Sequence, residues 1–329
     1  MEEKGRKRLV LIDGHSVLFR AFHAYPPLTT SKGELVNAVY GFTNILLSVI
    51  RELKPSHLAV CFDRAKPTFR HKEYIGYKAH RPEMPADLAS QQARVEEVVS
   101  VLNIPIFALE GYEADDIIGT LALQAKSLKV KSQKSLRAGP EAKVKSEDMG
   151  VVIVTGDRDA LQLVDGKRVM VYTPGRGKQA AAIWDFNAVK ERYGLKPEQL
   201  DDFKALAGDA SDEIPGVRGI GPKTATLLLQ TYGDLDSVYR HLREVKDRFG
   251  AVTYAKLAEG KADANLSKKL ATLVSTVPIK LSLKKCVVSD YNKKKAVKKL
   301  QELEFTSLIQ RLPDDSFEQM VQEEMFSGK

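Results

Sequence analysis

The stretch Glu110-Gly111-Tyr112-Glu113-Ala114-Asp115-Asp116-Ile117-Ile118-Gly119 places three carboxylates within four residues at the start of an apolar, helix-like run. In a helix, Glu113 and Asp116 share a face at i,i+3, and Asp115 lies about 100° round the axis from Asp116. One acid is enough to cap a helix and complement its dipole. Three crowded carboxylates repel one another, and raised pKa values or a bound cation relieve this repulsion. The stretch therefore predicts one wall of a metal site.

The composition limits the class of protein. The chain has 329 residues, of which 43% are hydrophobic, so it can bury one large or two smaller domains. No apolar run approaches the roughly 20 residues of a membrane helix, and no apolar signal core follows Met1. Cys61 and Cys286 are too few for a zinc site or a disulfide framework. We expect an intracellular, cytoplasmic protein without a membrane partner, and an organellar location stays open.

The charge balance points to a class of partner. The formal net charge is +8 at pH 7, which favours a polyanionic partner. Many basic proteins bind no polyanion, so the net charge alone is weak support for such a partner.

Strand-like apolar runs followed by acids recur along the first half of the chain. The runs at 8–14, 57–63 and 151–159 carry acids at or just past their ends, and the run at 104–109 leads into the acidic helix. Because helical patterns alternate with these runs, we predict right-handed βαβ units around a central, mostly parallel sheet flanked by helices. Such sheets bind ligands beyond the carboxyl ends of their strands. The acids expected at this rim are Asp13, Asp63, Glu113, Asp115, Asp116, Asp157 and Asp159.

A cap or a turn is the simpler explanation for any one of these acids. Seven acids at corresponding strand and helix ends make coincidental capping the weaker account.

A basic and aromatic segment, 64–82, follows Asp63. Its basic residues include Arg70, Lys78 and Arg81, and they alternate with Phe69, Tyr74 and Tyr77. Basic side chains contact phosphates and aromatic rings stack on unpaired bases, so the segment is predicted to clamp a nucleic acid substrate. A solvated loop is the alternative.

The chain is predicted to divide into three parts. Residues 1–196 form the α/β domain, and its Lys-rich and Ser-rich stretch from about 126 to 150 is expected to be a flexible insertion without a fold. Residues 197–312 form a helical subdomain with helices at 264–274 and 293–304. Residues 313–329 form an acidic tail that we expect to be disordered.

A glycine-rich stretch from Gly208 to Ala225 is the second stretch with chemical meaning. Its glycines allow a tight turn whose N–H groups approach a phosphate, and Lys223-Thr224 opens the next helix. Pro222 breaks the P-loop pattern, and Thr224 stands where the dinucleotide pattern needs its third glycine. What remains is a pair of helices joined by a hairpin that reads the sugar-phosphate backbone. Arg218 and Lys223 support this reading, and Asp209 and Asp212 lie beside it.

These motifs together resemble the 5′-nuclease family, which includes flap endonucleases and the 5′–3′ exonuclease domain at the N-terminus of bacterial DNA polymerase I. The resemblance extends from about Leu9 to Leu312. Its motifs are Leu11-Ile12-Asp13-Gly14, Phe62-Asp63 followed by Phe69-Arg70, Gly111 to Asp116, Thr155 to Asp159, and Gly208 to Ala225. It implies a PIN-like or resolvase-like α/β domain, a helical subdomain with a helix-hairpin-helix, and a 5′–3′ exonuclease and 5′-flap endonuclease of replication and repair.

The resemblance also implies roles for individual residues. The family holds two divalent metal ions, the first implied here to contact mainly Asp13, Asp63, Glu113 and Asp115. The second is implied to contact mainly or partly Asp116, Asp157, Asp159, Asp209 and Asp212. The catalytic residues implied are Lys78, Arg81, Asp115 and Asp157. DNA contacts are implied for Arg70, Tyr77, Lys78, Arg81, Gly216, Arg218, Gly219, Gly221, Lys223 and Thr224, with a potassium ion at the hairpin.

Three features depart from the family pattern. Glu213 follows the Ser-Asp pair where bacterial relatives usually have Asn, which adds charge beside the second metal site. The insertion near 126–150 is longer than usual. No polymerase sequence follows Lys329, so the chain is either a stand-alone nuclease or a polymerase I fragment.

The predicted chemistry is two-metal hydrolysis of a phosphodiester. Oxygen ligands without a Cys or His cluster favour Mg²⁺ or Mn²⁺ over zinc. We expect a monomer that acts on DNA with a 5′ flap, a nick or a 5′ end, with a DNA polymerase as a partner. An RNA-directed 5′ nuclease and a catalytically inactive DNA-binding module are the alternatives, and an aspartate-nucleophile phosphatase is a weaker one.

Overall fold

The computed structural model describes residues 7–64, 67–131, 146–175 and 179–320. Six strands form one sheet in the order β3-β2-β1-β6-β7-β8, and β4 and β5 form a separate antiparallel ribbon. Within the sheet only the edge pair β7 and β8 is antiparallel, among the described strands. This confirms the mostly parallel sheet. The strands are β1 (Arg8–Asp13), β2 (His57–Cys61), β3 (Ile106–Phe107), β4 (Lys129–Lys131), β5 (Ser146–Asp148), β6 (Gly150–Val154), β7 (Val169–Thr173) and β8 (Ala182–Trp184).

Helices cover both faces of the sheet, which is why the central strands are apolar throughout. The helices are α1 (Gly14–Ala24), α2 (Asn37–Leu53), α3 (Phe69–Glu73), α4 (Ala86–Val101), α5 (Ala114–Ser127), α6 (Phe186–Tyr193), α7 (Leu200–Ala207), α8 (Pro222–Tyr232), α9 (Leu235–Arg240), α10 (Leu242–Phe249), α11 (Ala251–Glu259), α12 (Lys261–Ala271), α13 (Lys293–Glu302) and α14 (Thr306–Ile309). Leu9 and Leu11 of β1 are buried against one layer of helices, and Val10 and Ile12 against the other. A strand that is buried on both faces does not need to alternate apolar with polar residues.

The strand order creates a crevice beside β1. The chain first builds β2 and β3 on one side of β1 and then returns to place β6 on its other side. Parallel strands that diverge in this way leave room for a ligand beyond their carboxyl ends. Asp13 ends β1 and Thr155 follows β6, so both lie at this switch point.

The helices after residue 197 divide between the two faces of the sheet. Side chains of α7 to α12 share a core with α5, whereas Leu300, Phe305 and Leu308 of the last helices pack with α2 and α4. The helices expected at 264–274 and 293–304 are α12 and α13, each slightly displaced or shortened.

The Lys-rich insertion is partly structured, contrary to the expectation of a segment without a fold. Helix α5 continues to Ser127, the ribbon of β4 and β5 follows, and Met149 and Gly150 are buried at the start of β6. Residues 132–145 lie outside the described residues. The ends of the insertion are ordered because they connect directly to a core helix and a core strand.

The start of the acidic tail is also ordered, which corrects the expectation of disorder for residues 313–320. Lys293 Nζ donates to both carboxylate oxygens of Glu318 at 2.8 Å, and Ser316 N donates to Ser289 O at 2.8 Å. Among the described residues, Asp314 and Glu318 of the tail therefore pair with Lys293 at the start of α13. Residues 321–329 lie outside the described residues.

A search of the described residues for a membrane span finds no helix with the necessary length and apolar character.

Candidate metal centre and DNA-binding surface

Asp13 anchors the centre of the acidic rim. It caps α1 by accepting a hydrogen bond from Ser16 N at 3.0 Å, and its other oxygen accepts one from Thr155 Oγ1 at 2.7 Å. Burial, together with the charges of Asp63 and Asp157, raises the pKa of Asp13 to about 7. The residue is thus a helix cap and a rim acid at once.

Asp115 lies at the point where the rim acids converge. Its Oδ1 atom is buried and has no hydrogen-bond partner. Burial raises the pKa of Asp115 well above its usual value, and four acidic neighbours raise it further. Those neighbours are Asp13, Asp157, Asp159 and Asp63. The predicted convergence of strand-end and helix-end acids is therefore present in the fold.

The backbone of α5 ties Asp63 to this centre. Asp63 Oδ1 accepts a hydrogen bond from Ala114 N at 2.7 Å, at the start of the helix. Its own N–H donates to His15 Nδ1 at 3.1 Å. Burial lowers the pKa of His15, although the charge of Asp63, whose Oδ2 lies 3.2 Å from His15 Nδ1, acts to raise it.

A second group of acids meets a buried lysine. Lys204 Nζ contacts both Asp159 and Asp209 from the last turn of α7. Burial raises the pKa of Asp159 to about 6 although Lys204 acts against it. Asp157 Oδ1 accepts a hydrogen bond from Asp159 N at 2.9 Å, which fixes the two acids after β6 relative to each other.

The predicted gateway bases pair with acids of the rim. Lys78 Nζ lies 2.8 Å from Glu113 Oε2 and 3.7 Å from Asp212 Oδ2, and Arg81 lies 3.1 Å from Asp212 Oδ1. Burial opposes ionisation of Glu113, but Lys78 and Arg70 outweigh it and lower the pKa of Glu113. Burial raises the pKa of Asp212 in spite of Lys78 and Arg81. Arg81 is 53% exposed, so it remains accessible from solvent.

Asp116 and Arg70 form a buried ion pair, although the resemblance implies a metal contact for Asp116 and a DNA contact for Arg70. The Arg70 guanidinium donates to both oxygens of Asp116 at 2.8 Å, and the two side chains are 1% and 0% exposed. Glu113 N and Val274 N also donate to Asp116, and Arg70 donates to Leu270 O and Thr272 O. These bonds occupy both side chains in this structure, and the metal role of Asp116 and the DNA contact of Arg70 stay predictions.

Tyr77 and Glu213 also differ from expectation. Tyr77 is 3% exposed, and its hydroxyl donates to Glu113 Oε2 at 3.2 Å, so its ring does not stack on a base as folded. Glu213 faces His80 in this structure, and its effect on the second metal site stays a prediction. Its carboxylate accepts hydrogen bonds from the backbone N–H of His80 at 3.1 and 3.2 Å, which ties down the turn after Lys78.

The donor set suits a hard divalent cation. Carboxylate oxygens are the ligands that Mg²⁺ prefers, and a cation would relieve the repulsion among Asp115 and its acidic neighbours. In the described ranges, however, no group of three or more His, Cys, Asp or Glu side chains is arranged to hold a metal ion directly. Lysines and an arginine pair with four of the acids, namely Glu113, Asp159, Asp209 and Asp212. Unpartnered Asp115 Oδ1 is the atom that fits the cation best.

The glycine hairpin connects the rim to an exposed surface. Gly216 has φ 63°, and an added Cβ there would lie 2.2 Å from Gly208 N, so only glycine fits. Val217 and Ile220 are buried and hold the turn, whereas Arg218, Gly219, Gly221 and Lys223 are exposed and Thr224 is half-buried. Pro222 begins α8, and Gly221, Pro222 and Lys223 at the start of this helix are exposed.

Sequence reasoning missed three residues that shape this centre. Lys204, Thr155 and His15 each bond to a rim acid or its backbone. Thr155 and His15 lie two residues from a rim acid, which is the only signal the sequence offered. Lys204 carries no local signal, because its contact with Asp159 depends on how α7 packs.

Models of two domains match the chain. The first, "5′–3′ exonuclease, N-terminal resolvase-like domain", matches residues 8–135, and the second, "5′–3′ exonuclease, C-terminal SAM fold", matches residues 195–294. The first range contains the sheet strands up to β3, and the second contains the glycine hairpin.

Curated relatives named DNA polymerase I match nearly the whole chain. The protein of Caldicellulosiruptor bescii is 40% identical over 306 residues, which cover 93% of this chain and 33% of that protein. The protein of Bacillus subtilis is 40% identical over 313 residues, which cover 95% of this chain and 33% of that protein. The chain thus spans about a third of the length of these relatives.

Solved structures share the fold at low sequence identity. T5 5′-exonuclease with divalent metal ions (zinc) bound has a TM-score of 0.58 and 18% identity, covering 91% of this chain and 99% of that one. A complex of bacteriophage T5 flap endonuclease with DNA and metal ions has a TM-score of 0.59 and 18% identity, covering 91% and 100%. The catalytic core of Rad2 in complex with DNA substrate has a TM-score of 0.54 and 14% identity, covering 91% and 88%.

The two domain models match residues 8–135, which include the rim acids Asp13, Asp63 and Asp115, and the helical part with its hairpin, and relatives at about 40% identity extend across both. The chain therefore belongs to the 5′–3′ exonuclease family of nucleases.

Proposed function

We propose that this chain hydrolyses DNA phosphodiester bonds at its acidic rim, as a 5′–3′ exonuclease and 5′-flap endonuclease that uses Mg²⁺ or Mn²⁺. The observation that carries the proposal is the buried, unpartnered Oδ1 atom of Asp115 among Asp13, Asp63, Asp157 and Asp159. Such an arrangement is unfavourable without a cation. The convergence of these acids is therefore better explained by metal binding than by stability.

The acids would divide into two groups. Asp13, Asp63 and Asp115 would hold one divalent cation, and Asp157, Asp159, Asp209 and Asp212 would contribute to a second. When bound, two such ions activate water and stabilise charge on the leaving oxygen in an in-line displacement. Glu113 would act through Lys78, whose ammonium it orients at 2.8 Å.

The basic residues would hold the phosphate against the rim. Lys78 and Arg81 extend from the 74–82 turn, and each already faces an acid of the rim. A DNA phosphate that enters between Lys78 and Arg81 would replace the carboxylates as their partner, because it is also negatively charged. The two residues would therefore position the scissile phosphate and compensate for the negative charge of the acids.

The hairpin would hold the duplex at a fixed distance from the rim. Arg218, Gly219, Gly221 and Lys223 form the exposed surface, and outward N–H groups at a helix start suit a phosphate. A potassium ion at the hairpin carbonyls would strengthen this contact. Asp209 and Asp212 lie at the other end of the same loop. One loop would therefore position both the bound duplex and the acids of the cleavage site.

The test uses a labelled 5′-flap duplex with Mg²⁺ and with EDTA, its RNA-flap version and a plain single strand. Asp115→Asn and Asp157→Asn should each reduce flap cleavage by about a hundredfold or more, with duplex binding largely retained. Asp236→Asn, at an exposed acid of α9, is the control and should cleave normally. Near-normal cleavage by Asp115→Asn would refute the metal assignment, and preferred cleavage of the RNA flap would favour the RNA-directed alternative.

We also propose that the protein acts as a monomer beside a DNA polymerase. The support is that its curated relatives carry the name DNA polymerase I and are about three times as long as the matched segment. A polymerase that extends into a downstream strand produces the 5′ flap that this centre would remove.

A further inference from the structure

Lys204 is a buried cation within the acidic rim. Its side chain is 15% exposed, and its Nζ atom contacts Asp159 Oδ1 and Asp209 Oδ2. An ammonium is strongly hydrated, so its burial is unfavourable unless carboxylates compensate for the lost water. Here two carboxylates from different segments do so, one after β6 and one after α7.

The same two carboxylates belong to the second group of acids proposed above. A divalent cation such as Mg²⁺ needs oxygen ligands at about 2.0–2.1 Å, and an ammonium bonded to the same oxygens repels it. The Lys204 ammonium and a second divalent cation therefore cannot both bind Asp159 and Asp209 fully at the same time.

We propose that Lys204 is a built-in counterion that competes with the second divalent cation for Asp159 and Asp209. This inference rests on the proposed two-cation function. The lysine holds the two acids together, and loading of the second cation requires its ammonium to withdraw. Asp157 and Asp212 also act on this group of acids, so Lys204 compensates for only part of the negative charge and a divalent cation is still attracted.

The chain provides a matched control on α12, whose Lys268 contacts two aspartates of α7. Lys268 Nζ of α12 contacts Asp202 and lies 3.6 Å from Asp201, both in α7. This is again a lysine between two aspartates, but neither acid belongs to the rim. Lys268→Met therefore removes a comparable ion pair without a direct effect on a metal site.

The experiment measures Mn²⁺ binding by calorimetry and by the electron paramagnetic resonance signal of free Mn²⁺. Wild type, Lys204→Met and Lys268→Met are compared, since methionine preserves the length of the side chain without its charge. The Kd of the weaker Mn²⁺ site should fall about tenfold in Lys204→Met and change less than about twofold in Lys268→Met. The rise in melting temperature caused by Mn²⁺ should likewise grow only in Lys204→Met.

A charge-retaining variant completes the design. Lys204→Arg should keep the weaker site at its wild-type affinity, and tighter binding in that variant would contradict competition by charge. If Lys204→Met is unfolded in EDTA, recovery of its circular dichroism spectrum on addition of Mn²⁺ supports the proposal, and failure to recover overturns it. An unchanged or weakened second site in folded Lys204→Met also overturns it. Absence of any Mn²⁺ binding by wild type would instead refute the proposed function, and the inference with it.

Discussion

At the scale of single residues, the adjacent acids Asp115 and Asp116 lie in different environments. Asp115 has a buried oxygen without a partner, whereas both oxygens of Asp116 accept hydrogen bonds from Arg70. The α-helix explains this difference, because neighbouring positions are rotated by about 100°. One side chain therefore lies among the rim acids, and the next contacts Arg70 of α3 and the backbone N–H of Val274.

These two acids should respond in opposite ways to the same substitution. Asp115→Asn removes a buried charge with acidic neighbours, so in EDTA at neutral pH it should stabilise the protein by about 1 kcal/mol and abolish Mn²⁺ binding. Asp116→Asn leaves the Arg70 guanidinium buried without its counterion, so it should destabilise by about 3–5 kcal/mol and keep Mn²⁺ binding.

Urea denaturation in EDTA and Mn²⁺ titration of the folded proteins measure both effects. Loss of Mn²⁺ affinity in Asp116→Asn without loss of stability would show that Asp116 is a metal ligand after all.

At the scale of elements, the hairpin between α7 and α8 depends on the backbone of particular glycines. Gly208 and Gly216 approach each other so closely that neither tolerates a Cβ, whereas Gly221 has open space around it. The close approach brings Asp209 and Asp212 back to the rim while Gly219 and Lys223 stay exposed. The close approach of Gly208 and Gly216 thus holds together the residues of the acidic rim and those of the exposed DNA-binding surface.

Gly216→Ala should disrupt this crossing. The substitution forces a Cβ to 2.2 Å from Gly208 N at a residue with φ 63°. Backbone strain alone should cost about 1–3 kcal/mol, and the clash adds to it. The variant should also lose affinity for duplex DNA, as measured by fluorescence anisotropy in EDTA.

Gly221→Ala is the matched control for stability, since its Cβ would meet nothing within 4 Å. Its urea midpoint should stay close to that of wild type. Equal destabilisation by the two substitutions would mean that the crossing at Gly216 is not the critical contact.

At the scale of the whole molecule, the acidic rim should lower the free energy of unfolding as the pH rises. The pKa of Asp13 is raised to about 7 and that of Asp159 to about 6, from the ordinary value of 3.8 in an unfolded chain. Between about pH 4 and pH 7 the folded protein therefore binds more protons than the unfolded one, and stability falls as pH increases. Glu113 and Asp209 have lowered pKa values, so their contribution is lost only at acidic pH.

In EDTA we expect the free energy of unfolding to decrease from about pH 5 to pH 8. Divalent cations bind the ionised acids, so saturating Mg²⁺ should reduce or reverse this decrease, and the stabilisation by Mg²⁺ should grow with pH. Urea denaturation at each pH, with and without Mg²⁺, measures the difference. A Mg²⁺ effect independent of pH would show that the acids with raised pKa values do not bind the metal.

The same scale explains how much of the molecule was predictable. The parallel sheet, the acidic ends of β1 and β6 and the hairpin follow from local patterns, because apolar runs, acids and glycines are read directly in the sequence. Only the described ends of the insertion, 126–131 and 146–150, and residues 313–320 differ from the expected lack of structure, since composition alone does not reveal the pairing of β4 with β5 or of Glu318 with Lys293.

The sequence by itself determined that acids would gather at the carboxyl ends of parallel strands, because strand order and chain direction bring those ends to one edge. Only the tertiary structure decided which acids stay available to a cation. Arg70 pairs with Asp116 across 46 residues, and Lys204 reaches Asp159 across 45. Such partners depend on how α3, α5 and α7 pack, and no local pattern encodes that packing.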